Sequence, residues 1–453
     1  MIGHSAMLTP RRLVHRFAPI GALLIAVTLT ACGSGGFFGE EEGKPLPGDR
    51  IPVLTGDDLI KADESIASLP VILPPPHQNP DWSQSGGNAS KSMGHLAAAE
   101  VLREAWSVSV GSGGDDDAAL LSQPIIAGGR IFVLDSEARL SALDPRDGRT
   151  LWNKDLRTGD DQSVFPGGIA SDGEKVYAAT GVGEAMALAS EDGREIWKVR
   201  LSGPVRGSPT VINGQVYVVT LENRTIVLSA EDGRRLWEHQ GINEVAALLG
   251  GAAPAVSGST VLAPYSSGEL YALLAQNGRV VWVENLSSAR TMDAISRLAD
   301  IRGNPVVDRD LAFAVSHAGR MAAVDVRTGA RVWERPIGGV HMPWVAGDFV
   351  FVLSLNGDVV AMSRRDGRIR WVHRLPPFED MEDREDPIQY SGPVLVGDRL
   401  LVGSSDGFVY AISPYTGELL GRIEIGSAIF VSPVVADGTV YILSDNGTLH
   451  AYR

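Results

Sequence analysis

Short apolar runs recur along the chain at nearly even intervals, each closed by a turn signal. Ile131-Phe132-Val133-Leu134 and Leu140-Ser141-Ala142-Leu143 lead into a turn ending at Gly148, and then into Thr150-Leu151-Trp152. Val176-Tyr177, Val216-Tyr217-Val218-Val219 and Thr439-Val440-Tyr441-Ile442-Leu443 repeat the middle of that phrase. Such residues suit pleated, buried strands, and pairs such as Asn446-Gly447 suit the hairpin turns between them. The phrase begins near Pro124, Gly168, Pro209, Pro254, Pro305, Pro343, Pro393 and Pro433, which makes eight.

A Trp stands four residues after the turn Gly in six of these units. The pairs are Gly148/Trp152, Gly193/Trp197, Gly233/Trp237, Gly278/Trp282, Gly329/Trp333 and Gly367/Trp371. Successive Trp are 45, 40, 45, 51 and 38 residues apart. Gly417 keeps the turn but has Gly421 where Trp would stand. A period of about 40–50 with strand content reads as a β-propeller with one four-stranded blade per repeat.

The last phrase stops after its third strand, Thr448 to Tyr452. Val101 to Val110 precedes the first full repeat and carries an orphan Trp106. It is expected to supply the missing outer strand and remove the open seam of the ring. The fold class is therefore all-β: an eight-bladed β-propeller with four-stranded antiparallel blades, closed by an N-terminal strand that completes the last blade. The segment from Trp82 to Leu96 is expected to cross the ring before that strand. The propeller takes residues 81–453, and overrules the several domains that 453 residues would otherwise suggest.

The N-terminus has a different character. Arg11, Arg12, His15 and Arg16 precede an apolar stretch, Ala18 to Leu29, too short for a comfortable membrane span. Leu29-Thr30-Ala31-Cys32 follows and resembles a bacterial lipobox. That resemblance implies that residues 1–31 form a lipoprotein signal peptide and that Cys32 is acylated. The competing reading is an ordinary signal peptide with an incidental free thiol. Cys32 is the sole Cys, so no internal disulfide exists. Gly33 in place of Asp after the Cys implies the outer membrane, facing the periplasm. Residues 32–80, with Gly/Ser, Glu40-Glu41-Glu42 and Pro74-Pro75-Pro76, read as a flexible linker between anchor and ring.

Charge narrows the partners. Loss of residues 1–31 removes three of the 40 Lys and Arg and none of the 55 Asp and Glu, which leaves −18. Such a surface argues against nucleic acid and against adsorption on anionic headgroups.

Three connections are longer than turns. Gly241 to Pro254 is apolar for a loop, and Glu284 to Pro305 has room for a short helix around Ala294–Leu298. Long loops on a rigid ring commonly carry function; the alternative is that both lie against its face. Pro376 to Tyr390 holds Glu379, Asp380, Glu382, Asp383, Glu385 and Asp386 and reads as an exposed mobile loop. It lacks the spacing of a calcium loop. The nine His show no HxxxH or HExxH spacing, and no GxSxG elbow or P-loop appears. No metal, cofactor or catalytic residue is assigned.

Ala323-Val324-Asp325, Thr328-Gly329 and Trp333 look like the tryptophan-docking repeat of pyrroloquinoline-quinone propellers. With the lipobox at Cys32 and with Ile295-Ser296-Arg297-Leu298-Ala299-Asp300-Ile301, the chain is similar to the BamB family. These are lipoproteins of the machinery that assembles β-barrels in the outer membrane. The resemblance covers about Trp82 to Arg453. It implies a noncatalytic scaffold whose two long loops bind the POTRA domains of BamA, alongside other BAM components; the propeller's edges are further expected to add main-chain hydrogen bonds to unfolded barrel strands. It places partner contacts at Leu248 in the first loop and Asp300 in the second. Leu249 stands where the family pattern has Arg, and Arg302 where it has a second Asp, so the partner surface is expected to differ there. Arg297 is a further expected contact. The rival readings are a quinoprotein-type periplasmic dehydrogenase and a propeller that binds a cell-envelope polymer. Saturable quinone binding with dye reduction would mark the first.

Overall fold

A small residue in the third strand sets the cross-section of most blades, with Val227 in its place in the third blade. Phe132, Ala142 and Trp152 lie side by side on adjacent strands, as do Phe351, Ala361 and Trp371. The Ala lets the outer indole reach the aromatic ring two strands away, with centroids 5.9 Å apart in the first case and 6.0 Å in the second. The computed structural model describes residues 60–115, 119–157, 167–244, 247–287 and 298–453. Among them are eight four-stranded antiparallel sheets and a separate two-stranded ribbon. The innermost strand is short in every blade but the seventh, where it runs Tyr390–Val396, and almost wholly buried throughout, as in Ile125–Ala127, whereas the outermost is half exposed, as in Thr150–Asp155.

Each Trp joins two blades. The indole N–H of Trp152 donates to the Ser190 carbonyl of the next blade at 3.1 Å, that of Trp282 to Val326 at 2.7 Å, and that of Trp371 to Pro414 at 3.1 Å. The indole face lies under the turn Gly of that next blade. Gly193 has φ +72°, and a Cβ on it would come within 2.7 Å of Trp152 Cε3. Positive φ and lack of room therefore both require Gly there.

The closure forms as expected. Glu104–Ser109 pairs antiparallel with Thr448–Tyr452, and the eighth sheet reads inward from that strand to Val434–Ala436. Arg103 and Arg453 exchange backbone hydrogen bonds of 2.8 and 2.9 Å. Trp106 donates to the Pro145 carbonyl of blade 1 and sits under Gly148. One hydrophobic core runs across the seam, from Phe351 through Leu401 and Tyr441 to Ile126 and Val133. The exception at Gly421 is explained by the same geometry. In the eighth blade the chain's two ends meet where the docking turn would be, so a Trp at 421 would find no turn to dock on. Trp106→Ala is expected to lower stability by about 2–3 kcal/mol, although the residue opens the ring rather than sitting in its middle. Urea titration checks this, and an unchanged midpoint would count against the closure.

The segment ahead of the closing strand crosses the ring by making a full circuit of it. Between residues 79 and 97 it bonds to the inner strand of every blade in turn. Asn79 meets Val435 and Asp437 of blade 8; Trp82 exchanges two 2.8 Å bonds with Ile126 of blade 1. The Ser83 carbonyl accepts from Ser171 of blade 2, and the Gln84 side chain pairs with the backbone of Val211 in blade 3. Ala89 and Ser90 accept from Val256 and Val307 of blades 4 and 5. Trp344 of blade 6 donates to Gly94, and Leu96 bonds to Leu395 and Gly397 of blade 7. Trp82 and Leu96 are fully buried.

Two expectations need correcting. The flexible linker does not run to residue 80. Asp63 donates to the Ile369 carbonyl at 2.7 Å, Arg370 donates to the Leu69 carbonyl at 2.7 Å, and Ile66 and Val71 are buried. The chain is therefore fastened to blade 6 from about residue 63. The acidic connection at 376–390 is not a mobile loop but a hairpin, with Phe378–Asp380 paired to Glu385–Pro387. Its acidic side chains are exposed, and the Asp380 carboxylate accepts from the N–H groups of Glu382 and Asp383 at 2.8 and 3.0 Å. Solvation removes the repulsion that the charge run suggested. The signal peptide, Cys32, Arg297 and all but the last residue of the expected helix at 294–298 lie outside the described residues.

Candidate functional site

The two long loops meet through one carboxylate. Asp300 is fully buried and accepts from both terminal nitrogens of Arg206, at 2.9 and 2.5 Å. Its Oδ2 also accepts from the Leu248 N–H at 3.0 Å. Arg206 belongs to the connection between blades 2 and 3 and is 4 % exposed at its side chain. Three inter-blade connections are thus held by one ion pair. A second tie is the Arg302 Nε–H, which donates to the Leu249 carbonyl at 2.8 Å. The Asn304 side chain adds a third, accepting from the Ala253 N–H at 2.7 Å. Such a net fixes loops that lack regular structure, because each buried polar group has a partner.

This arrangement corrects the expected role of Asp300. Its carboxylate has no exposed surface and directs all its bonds inward, so in this structure it holds the loops together. Of the expected contacts, Leu248, Leu249 and Arg302 reach the surface. Leu249 is 47 % exposed, and Leu248 is partly buried beside it. Together they form a ridge between two cavities, of about 830 and 520 Å³, that share Leu121, Leu248 and Leu249 in their walls. The larger cavity adds Leu355 and Phe430, which are 46 % and 39 % exposed. The smaller adds Leu221, 43 % exposed. Apolar side chains from several blades thus ring the mouth of the central channel.

The channel floor is formed by Ser85 of the circling segment and by chain ends of several connections: Gly167, Gly207, Gly251 and Gly303. His341 lies beside Arg302 in its wall. Burial, and then the Arg302 cation, push its imidazole down to about 3, so it is neutral and gives no switch near pH 7. Among the described residues, no group of three or more His, Cys, Asp or Glu converges on a point where a metal ion could be held. The face offers apolar surface, one guanidinium and fixed backbone, which suits protein recognition.

Arg206, Leu121, Leu355 and Phe430 carry no mark in the sequence. Arg206 and Phe430 sit in short connections between blades, Leu355 in a hairpin turn and Leu121 in the connection after the closing strand, and only the ring's curvature brings them together. The apolar character of Gly241 to Pro254 was the one visible signal.

The comparisons by sequence agree on one family. The family model described as outer membrane protein assembly factor BamB matches residues 98–166, 162–373 and 380–453. BamB of Salmonella typhimurium is 32% identical over 357 residues, which cover 76% of this chain and 87% of that protein. The crystal structure of BamB from Moraxella catarrhalis superposes with a TM-score of 0.67 at 22% identity, covering 78% of this chain and all of that one. Quinohemoprotein alcohol dehydrogenase from Comamonas testosteroni superposes with a TM-score of 0.64 at 15% identity, over 86% and 82% of the two chains. Likeness at these identities shows the ring and nothing about its chemistry. With its model matched across the propeller and a relative 32% identical over most of the length, the chain belongs to the BamB family of outer membrane protein assembly factors.

Proposed function

We propose that this protein is a noncatalytic, lipid-anchored subunit of the β-barrel assembly machinery on the periplasmic side of the outer membrane. It binds BamA through the ridge at Leu248 and Leu249 and through Arg302, with Asp300 and Arg206 behind them as positioning residues. Cys32 carries the anchor, and the segment up to about residue 60 is the tether. The observation that carries this reading is the coupling of two family-typical loops into one rigid apolar ridge beside a cation. The role that the relatives' name carries, assembly of outer membrane proteins, supports the same conclusion.

A scaffold uses its ring to hold loops in fixed relation, and a preformed ridge loses little conformational entropy on binding. The likeness to quinoprotein dehydrogenases is a likeness of fold alone. The residues around the channel mouth favour binding over catalysis, since Arg206 and Asp300 are committed to one another and His341 is held neutral.

Leu249→Asp tests the site. The side chain is nearly half exposed, so the ring keeps its core, while a charge enters the centre of the apolar contact. Co-purification with BamA is expected to fall on the order of 30-fold, as for a hot-spot residue. Full association with an unchanged unfolding midpoint would remove the ridge from the interface. Changing Leu248 together with Asp300 is a poorer test, because Asp300 also supports the fold.

A further inference from the structure

Arg206 and Arg302 are neighbouring cations with different fates. Arg206 has a carboxylate on both terminal nitrogens. Arg302 spends its Nε–H on the Leu249 carbonyl, and among the described residues no carboxylate forms an ion pair with its guanidinium. Asp300 lies close enough to be felt, yet its two oxygens are taken by Arg206 and by the Leu248 N–H. Arg302 also borders the 830 Å³ cavity, whose wall holds Leu121, Leu249, Leu355 and Phe430. A guanidinium beside apolar walls is poorly hydrated, and Arg206 adds like-charge repulsion. Burial first, and then Arg206, lower its hold on its proton. A planar cation of this kind gains most from a carboxylate that meets it in two parallel hydrogen bonds. Asp115 and Asp445 also line the cavity, but neither pairs with Arg302 among the described residues.

We propose that Arg302 is the receptor for an acidic side chain of the docked protein, an Asp or Glu flanked by apolar residues that fill the cavity between Leu121, Leu355 and Phe430. The inference rests on the reading of this face as the BamA contact and names the chemistry that BamA must present to it. Leu249 supplies the apolar half of the recognition and Arg302 the charged half. The cation comes from the second loop and is aimed by the backbone of the first. On a mature molecule of net charge −18, the half-buried Arg302 guanidinium in the cavity wall also steers an acidic side chain to this spot.

The test uses the full lipidated protein and full-length BamA from the same cell, both in detergent, with Kd measured at low and at moderate salt. R302E is expected to weaken binding about 100-fold or more, and R302Q, which keeps a donor for the Leu249 carbonyl, about 10–30-fold. R302K falls between them and the parent, because Lys cannot make the paired bonds. The parent's Kd is expected to rise with salt, and one Asp or Glu to Lys change on BamA is expected to restore R302E. Binding of R302E and R302Q within twofold of the parent, with unfolding midpoints unchanged, overturns the receptor role. If L249D releases BamA while both Arg302 variants bind normally, this inference fails and the docking face stands. If the parent shows no binding to BamA, the face itself is wrongly assigned and the inference falls with it.

Discussion

Asp300→Ala is expected to destabilise the ring by about 3–5 kcal/mol and to release the partner as well, although Asp300 touches no solvent. The Arg206 guanidinium would stay enclosed, 4 % exposed, with no counter-charge. The cost of a buried pair lies mostly in such desertion, since burying the two ions together already offsets much of their attraction. The Leu248 N–H would lose its acceptor in the same step. Urea titration reads the first effect and BamA association the second. A control separates the charge from the cavity: Arg206→Met with Asp300→Leu removes both ions and is expected to return most of the stability. An Asp300→Ala midpoint equal to the parent's would show that the ion pair does not hold the loops.

Lys91→Met is expected to raise stability at pH 7 by roughly 2–3 kcal/mol. Lys91 belongs to the segment that circles the ring, is 1 % exposed, and donates from Nζ to Thr210 Oγ1 at 3.0 Å. Among the described residues no carboxylate answers its charge. Burial pushes its pKa from 10.5 down to about 7. Between those values the unfolded chain binds a proton that the folded one does not. Stability therefore rises as pH climbs from about 7 to 10.5, by an amount on the order of 4–5 kcal/mol if the shift is complete. Below about 7 both states are charged and the slope from this group vanishes. Met fills a similar volume with no charge, so the variant should lose the alkaline rise while gaining stability at neutral pH. Denaturation at pH 7 and pH 10 checks both, and parallel pH profiles for parent and variant would refute the assignment.

The parts of the fold that could be read in advance are those in which one physical demand recurs. Trp152 and its five counterparts each need a Gly turn on the next blade, so the spacing of Gly and Trp carries the blade count. Gly421 could be seen as an exception, and Trp106 as the strand left over. Their common cause, the meeting of chain ends in blade 8, needed the sheet order. The circuit of residues 79–97 left no pattern, because its hydrogen bonds pass from one blade to the next and no side-chain period results. The fastening of residues 63–71 was hidden in the same way, by backbone bonds beneath a Pro-rich composition. At the docking face, the apolar ridge was visible in Leu248 and Leu249. The inward duty of Asp300 was not, since its partner Arg206 is 94 residues away in an unremarkable turn.

The circling segment also bears on when the molecule can finish folding. A chain crossing a membrane from its first residue delivers this washer early, before any of its eight seats exists, and delivers the strand that meets residues 104–109 last. No partial product can be fully locked, and early blades must wait with their apolar flanks open. A chaperone that shields β-rich chains in transit would have the greatest effect in that interval, and truncation by even the final five residues should strand the whole wheel unlatched.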